Sequence, residues 1–249
     1  MKGKNRMTRA NLTTEQLTDM WEDFRAVKNL MGKCVNAIVL NQDDTVFSKY
    51  WSSREDVSLG LNDGYYIGPS DISAYYEAIC NKNKMIAKIM AENYPTECEG
   101  RSAEELYGVG TFRFKPIANP VIEVAHDGST AKGLWYCQGN SAEVGTSGPI
   151  SYWTWGYFAT DFIKENEQWR IWHMLYLEDV NSPCGQSWGM PIQPYEEYPE
   201  WEPLRDFVLP QPTKNVTLRE MYHPRRSFTE TPRIPEPYVS FEDTFSYGA

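Results

Sequence analysis

Two residues, Lys115 and His173, combine a side chain that can move protons with a place on a strand that reads as half buried. Pro116 holds the backbone of Lys115 extended, and a lysine in an apolar pocket has a lowered pKa, so that it can act as a base or hold a phenolate. His173 alternates with Ile171 and Leu175, and an imidazole transfers protons near neutral pH. We therefore predict both as catalytic residues, the alternatives being a surface lysine and a hydrogen-bonded core histidine.

Aromatic residues make up 14% of the chain, which suits a core with an aromatic-lined pocket. In the predicted strand 130–138, Trp135 and Tyr136 point to opposite faces because side chains alternate along a strand. One of the two is expected to line the pocket, and the sequence leaves open which one.

Two helices are predicted in the first hundred residues. Thr13 and Gln16 have the spacing of a capping box, and apolar residues then recur at intervals of three and four as far as residues 41–44. A second helix begins around Ser70 or Asp71 and stops before Pro95. Residues 57–68, with a turn at Asn62, Asp63 and Gly64, are predicted to form a hairpin between the helices.

The apolar period changes to two from Phe112 onward, which predicts strands at 120–125, 130–138, 150–164 and 168–180, with one turn at Gly139. Short connections favour antiparallel neighbours, so the predicted fold is α+β with the helices packed on one face of a curved sheet. Eleven of the sixteen prolines follow Asn181, which indicates an extended arm. We therefore divide the chain into a flexible N-terminus (1–11), a domain (12–180) and an arm (181–249) that docks on the domain or on a neighbouring subunit.

Composition excludes several classes of protein. No apolar run approaches the roughly 20 residues of a membrane span, and no signal peptide is apparent, so a cytoplasmic location is expected. A formal charge of −10 without a basic cluster argues against nucleic-acid binding. Five cysteines without a CxxC spacing argue against a disulfide framework and a zinc site.

Three stretches, "YWSSREDVSLGLNDGYYIGPSDI", "NPVIEVAHDGSTAKGLWY" and "WGYFATDFIKENEQWRIWH", follow one another in the order of hairpin, central hairpin and last two strands. With the long first helix, this order resembles the NTF2-like fold, and more closely its SnoaL-like branch, over residues 12–180. The resemblance implies a cone-shaped sheet around the long helix with an apolar pocket. It also implies acid/base chemistry without a metal or an organic cofactor.

The resemblance also suggests site residues. Dehydratase-like members carry an Asp soon after the first helix and a His at the entrance to the central hairpin, and these positions fall near Leu40 or Asn41 and at or beside Lys115. Asp43 and Asp44 look like helix-terminating acids that face solvent. Tyr50, Trp51, Tyr65 and Tyr66 resemble positions that surround ligands in the family, with packing as the alternative. The substrate contacts predicted from these considerations are Asn41, Tyr50, Trp51 and Tyr65, besides Trp135 or Tyr136.

The long arm and the replaced Asp/His pair resemble bacterial lyases that remove formaldehyde from lignin-derived diarylpropanes or phenylcoumarans. This resemblance implies a carbon-carbon lyase that forms a stilbene from a hydrophobic phenolic substrate through a quinone methide. The alternatives are a dehydratase, hydratase or isomerase of a polyketide-like or alicyclic substrate, and a binding module without catalysis. Relatives are often trimers or dimers, so a homo-oligomer is expected, with Trp188, Tyr195 and Trp201 of the arm anchored on a neighbour.

Overall fold

The computed structural model describes residues 12–145, 148–189, 207–227 and 229–249. The helices are α1 (Thr14–Val39), α2 (Asp43–Tyr50), α3 (Pro69–Asn93), α4 (Pro95–Cys98) and α5 (Ala103–Leu106). The strands are β1 (Ser58–Leu61), β2 (Gly64–Ile67), β3 (Thr111–Phe114), β4 (Ile117–Val124), β5 (Thr130–Gly145), β6 (Gly148–Glu165), β7 (Gln168–Pro183) and β8 (Lys214–Asn215).

Helix α1 begins at the predicted capping box. The Thr13 hydroxyl accepts a hydrogen bond from the Gln16 backbone N–H at 3.2 Å, and the Gln16 side chain accepts one from the Thr13 N–H at 2.9 Å. Helix α3 begins at Pro69, one residue before the predicted cap, because proline is favoured in the first turn of a helix. Helix α2 was not predicted, and two acidic residues occupy its first turn, where the helix dipole favours negative charge.

The strands form one sheet in the order β3-β5-β6-β7-β1-β2-β8, with β4 also paired to β5. All pairs are antiparallel except β1 with β7. The predicted α+β fold is confirmed, but β5 runs straight through Gly139 where a turn was predicted. A Cβ atom at Gly139 would collide with the carbonyl oxygen of Phe114, so this glycine marks a close backbone approach inside a strand.

Strand β7 contains two β-bulges. Asp161 pairs with His173 and Phe162 with Ile171, which leaves Trp172 as an extra residue; Asp179 is the extra residue of the second bulge. Each bulge inserts one residue, so side chains after it point to the opposite face from the one that strict alternation predicts.

The sheet has an inner face toward α1 and α3 and an outer face away from these helices. Apolar residues of α1, α3 and the inner face form the largest core cluster, with Met31, Trp135 and Ile171 among its fully buried members. A smaller cluster on the outer face contains Leu175 and is covered by Tyr247 of the arm.

The described part of the arm docks on the domain of its own chain. Strand β8 pairs with β2, and the backbone N–H of His126 donates to the carbonyl oxygen of Tyr238 at 3.2 Å. Trp188 is 47% exposed and its ring lies beside Trp155 and Tyr222. The predicted anchors Tyr195 and Trp201 lie outside the described residues, and contact with a neighbouring subunit stays a prediction.

Candidate active site

A cavity of about 370 Å³ lies between the inner face of the sheet and helices α1 and α3. Its volume is in the range of small-molecule sites, which are apolar with a few polar groups. The apolar part of the wall includes Ile38, Tyr75, Phe158 and Met174. The polar groups include one set around Lys115, one around Asp43, and the ion pair of Lys82 with Glu143, whose Nζ and Oε1 atoms lie 2.7 Å apart.

Lys115, from the short link between β3 and β4, points into this cavity. Its Nζ donates a hydrogen bond to the Tyr176 Oη at 2.8 Å and lies 4.3 Å from the centre of that ring. The Tyr176 hydroxyl in turn donates to the Glu178 Oε1 at 2.6 Å. The three side chains therefore form a hydrogen-bonded chain along the cavity wall.

Burial and the neighbouring charge of Glu178 raise the pKa of Tyr176 well above its usual value, so this phenol stays protonated and donates. Asn181 supports the second carboxylate oxygen of Glu178, with Nδ2 to Oε2 at 3.2 Å. The side chain of Asn62 holds the Glu178 backbone through hydrogen bonds of 2.8 Å with its N–H and its carbonyl oxygen. Glu178 is thus fixed at its backbone and at its carboxylate.

Asp43, the first residue of α2, is 2% exposed and also lines the cavity. Arg113 Nη1 donates to the Asp43 carboxylate at 2.8 Å, and Arg113 Nη2 donates to the Asn83 side chain at 3.1 Å. Burial raises the pKa of Asp43 despite the opposing charge of Arg113. The expectation that both acids face solvent is wrong for Asp43 and confirmed for the exposed Asp44.

His173 does not lie on the inner face. The bulge at Trp172 turns it outward, where Nδ1 lies 2.9 Å from the Asp161 carboxylate and Nε2 lies 3.2 Å from the carbonyl oxygen of Asp56. The end of the arm covers it, because a Cβ on Gly248 would contact the imidazole. The prediction that His173 shares a face with Ile171 is therefore wrong.

Among the predicted site residues, all of which the structure describes, Lys115 alone lines this cavity. Trp135 faces inward but packs in the core beside Phe162, and with Tyr50 it lines a separate groove along α1. Trp51 is a core residue, and the Asn41 side chain donates to the Thr111 hydroxyl at 3.1 Å.

Tyr65 and Tyr136 lie on the outer face. Tyr65 follows the alternation of β2, in which Tyr66 takes the inner face, and it is buried in the outer cluster. Tyr136 is 50% exposed beside Tyr157, with ring centres 5.0 Å apart.

Sequence reasoning missed Tyr176 and Glu178, which carry most of the polar geometry. They alternate with Met174, so the period of two that was read for His173 also contained them, on the opposite face. Arg113, which forms the ion pair with Asp43, was not among the predicted site residues either. The signal that could have found it as a site residue is its spacing of two from Lys115 on a strand.

A family model for the SnoaL-like domain matches residues 21–175 of this cone-shaped fold. The match covers more than half of the chain, so the chain belongs to the SnoaL-like domain family. This family suggests an enzyme that converts a small molecule. No helix in the described part of the chain is long and apolar enough to span a membrane.

Solved structures are similar to this fold at low sequence identity. One is Rv3472, a protein of unknown function from Mycobacterium tuberculosis, at 15% identity and a TM-score of 0.43. The match covers 66% of this chain and 76% of Rv3472, and coverages are given in the same order below. Another is the hexachlorocyclohexane dehydrochlorinase LinA-type3 from Novosphingobium barchaimii, at 12% identity, 70% and 98% coverage, and a TM-score of 0.42. A third is an NTF2-like protein from Novosphingobium aromaticivorans, at 14% identity, 70% and 91% coverage, and a TM-score of 0.41. A comparison with curated proteins gave no match.

Proposed function

We propose that this protein is a cofactor-independent carbon-carbon lyase that releases formaldehyde from a phenolic, two-ring substrate related to lignin dimers. The observation that carries the proposal is the Lys115 amine in the cavity, hydrogen-bonded to Tyr176 and through it to Glu178. A cation with N–H donors to spare, in a cavity whose wall is partly apolar, suits the binding of a phenolate. The three steps below use the cavity groups only.

In the first step the phenolic proton of the substrate passes to solvent, and the Lys115 ammonium group holds the oxygen as a phenolate. An ammonium group has three N–H donors, and the hydrogen bond to Tyr176 uses one, so donors remain for the substrate oxygen. A negative charge on that oxygen increases the electron density of the ring and weakens the benzylic carbon-oxygen bond. The apolar wall strengthens this electrostatic interaction because it excludes water.

In the second step a general acid protonates the benzylic oxygen as it leaves, and the substrate becomes a quinone methide. We assign this role to Asp43, because its carboxyl group lines the cavity close to Lys115, and burial raises its pKa against the opposing charge of Arg113. His173, which was predicted to be catalytic, lies on the outer face and takes no part in this step. The benzylic oxygen departs as water when it is a free hydroxyl.

In the third step Glu178 takes the proton of the terminal hydroxymethyl group. The carbon-carbon bond breaks, its electrons return to the ring through the quinone methide, and formaldehyde leaves. A diarylpropane diol thus gives one stilbene, one formaldehyde and one water. Proton exchange with solvent then returns a proton to Asp43 and to the phenolate and removes the one on Glu178, so atoms and charge balance without an oxidant or a reductant.

The test is incubation of the protein with a phenolic 1,2-diarylpropane-1,3-diol, with formaldehyde and ultraviolet stilbene absorbance measured together. The proposal expects the two products in equal amounts. Loss of water without formaldehyde would contradict it in favour of a dehydratase. Thermal stabilisation by the diol with no product would contradict it in favour of a binding module.

A further inference from the structure

The arm contributes two apolar side chains, Leu209 and Met221, to the wall of the cavity. Both come from residues 207–227, which lie outside the region matched by the family model. The arm therefore supplies part of the cavity wall that the matched domain does not contain.

The part of the arm around Leu209 is fixed by contacts with β2 and α3. The Tyr66 hydroxyl donates to the Pro210 carbonyl oxygen at 2.8 Å, and the Ile67 N–H donates to the Thr213 hydroxyl at 2.9 Å. The Thr213 hydroxyl also donates to the carboxylate of Asp71. Leu209 is thus held close to the inner face beside these anchors.

The part around Met221 is fixed by Asp179. Arg219 donates to both carboxylate oxygens, at 2.6 and 2.9 Å, and Arg226 donates at 2.5 Å. The Tyr222 N–H donates to the Asp179 carbonyl oxygen at 2.7 Å. Burial opposes ionisation of Asp179, but the two arginines outweigh it and lower its pKa, so the cluster stays charged at neutral pH.

The second bulge of β7 explains why Asp179 is free to make these contacts. As the extra residue of the bulge, it has no partner in the ladder with β6, whereas the preceding Glu178 points into the cavity. One irregularity in β7 therefore places a cavity carboxylate and the arm's anchor on adjacent residues.

We propose that the arm selects substrates by size, with Met221 and Leu209 as the selecting side chains and the cluster of Asp179, Arg219 and Arg226 as the clamp that positions Met221. The inference rests on the proposed function in taking the cavity as the substrate site. The substrate class that fits is a phenol whose second ring reaches the arm. A bulky substituent on the second ring of the substrate then contacts Met221.

The test compares the dissociation constants of two ligands, 4-hydroxystilbene and its 4′-tert-butyl derivative, by fluorescence titration. Met221→Ala is expected to shift the ratio of the constants by about tenfold or more toward the larger phenol, since it removes three heavy atoms and one methylene-sized group is worth at least about tenfold in an apolar pocket. Met221→Trp is expected to shift the ratio the other way. Val208→Ala is the matched control, because Val208 is 71% exposed beside Leu209 and does not line the cavity.

The clamp is tested as a positioning device by Asp179→Asn and by the milder Arg226→Gln, with Asp179→Glu as the conservative variant. Asp179→Asn and Arg226→Gln should each shift the ratio of the two dissociation constants toward the larger phenol, as Met221→Ala does. Asp179→Glu keeps the negative charge, so its ratio should lie closer to that of the wild type. A ratio that stays constant in both Met221 variants overturns the inference and leaves the lyase proposal standing. A shifted ratio without formaldehyde production would contradict the lyase proposal and still support size selection by the arm.

Discussion

The two faces of the sheet carry similar ionisable side chains in different surroundings. On the inner face, Lys115, Tyr176 and Glu178 form a hydrogen-bonded chain along a cavity. These side chains are partly buried, with space beside them for a small molecule. A lysine and a carboxylate in such a place can act on a ligand.

On the outer face, Lys132 and Asp161 form an ion pair of 2.5 Å in which both side chains are 0% exposed. The Asp161 carboxylate also accepts hydrogen bonds from the Ser246 hydroxyl at 3.1 Å and the Tyr247 N–H at 2.8 Å. Burial lowers the pKa of Lys132 despite the adjacent Asp161. This ion pair contains the same residue types as the inner chain, a lysine and a carboxylate, but the arm covers it, so we interpret it as structural.

Substitutions on the inner face are expected to lower the rate of the reaction. Glu178→Gln keeps the size and the acceptor for Tyr176 but cannot take a proton, so kcat for formaldehyde release is expected to fall by about 10²- to 10⁴-fold. The thermal midpoint should move little, because the substitution leaves no buried charge without a partner. Stopped assays at saturating diol measure the effect, and a kcat within twofold of the wild type would remove Glu178 from the chemistry.

Substitutions on the outer face are expected to lower the free energy of unfolding. Asp161→Asn leaves the charge of Lys132 buried without a counterion, and breaking such a pair costs about 3–5 kcal/mol in free energy of unfolding. Urea denaturation measures the loss, with the exposed Asp19→Asn as the control. A loss below about 1 kcal/mol, the value of an exposed pair, would show that the buried pair is not structural.

The protonation of Asp43 in the cavity is expected to make the stability of the protein depend on pH. Its pKa is raised above the ordinary 3.8, so the folded state holds this proton more tightly than the unfolded chain does, and stability falls as pH rises from 3.8 through the raised pKa. Relative to Asp43→Asn, the wild type is expected to lose up to about 1.4 kcal/mol per pH unit of that window.

Urea unfolding at a series of pH values above 3.8 measures this difference. Asp44→Asn, at the exposed neighbouring position, should show no comparable trend. A wild-type difference from Asp43→Asn that is constant with pH would contradict the burial argument.

The smallest effect is expected at Tyr136, a predicted substrate residue that lies on the outer face. Tyr136→Ala removes only an exposed ring contact with Tyr157, so it should cost about 0.5–1.5 kcal/mol of stability and leave kcat and KM within twofold. A loss of activity there would mean that the outer face takes part in catalysis.

The elements with strong periodicity were predictable from the sequence. The capping box of α1, the apolar spacing of α3 and the positions of the four long strands all correspond to structure, as does the placement of the helices on one face. The exceptions have local causes. Helix α2 is short, and Gly139, which resembles a turn residue, is needed inside β5 where the Phe114 carbonyl approaches.

The site was less predictable because it depends on which face each side chain takes. Lys115 directly follows β3 and continues its alternation, so its side chain points into the cavity as expected from the sequence. His173 was predicted on the wrong face because one extra residue, Trp172, reverses the alternation, and nothing in the local sequence marks the bulge. The partners of Asp179 lie 40 and 47 residues further along the chain, so no local pattern could have indicated the clamp.

Formaldehyde release by Lys115→Met at saturating diol tests the central claim most directly, with the exposed Lys88→Met as the control. The account predicts that Lys115→Met lowers kcat by about 10²- to 10⁴-fold at an unchanged thermal midpoint, while Lys88→Met keeps the wild-type rate. Unchanged formaldehyde release by Lys115→Met would contradict the assignment of the inner cavity as the active site.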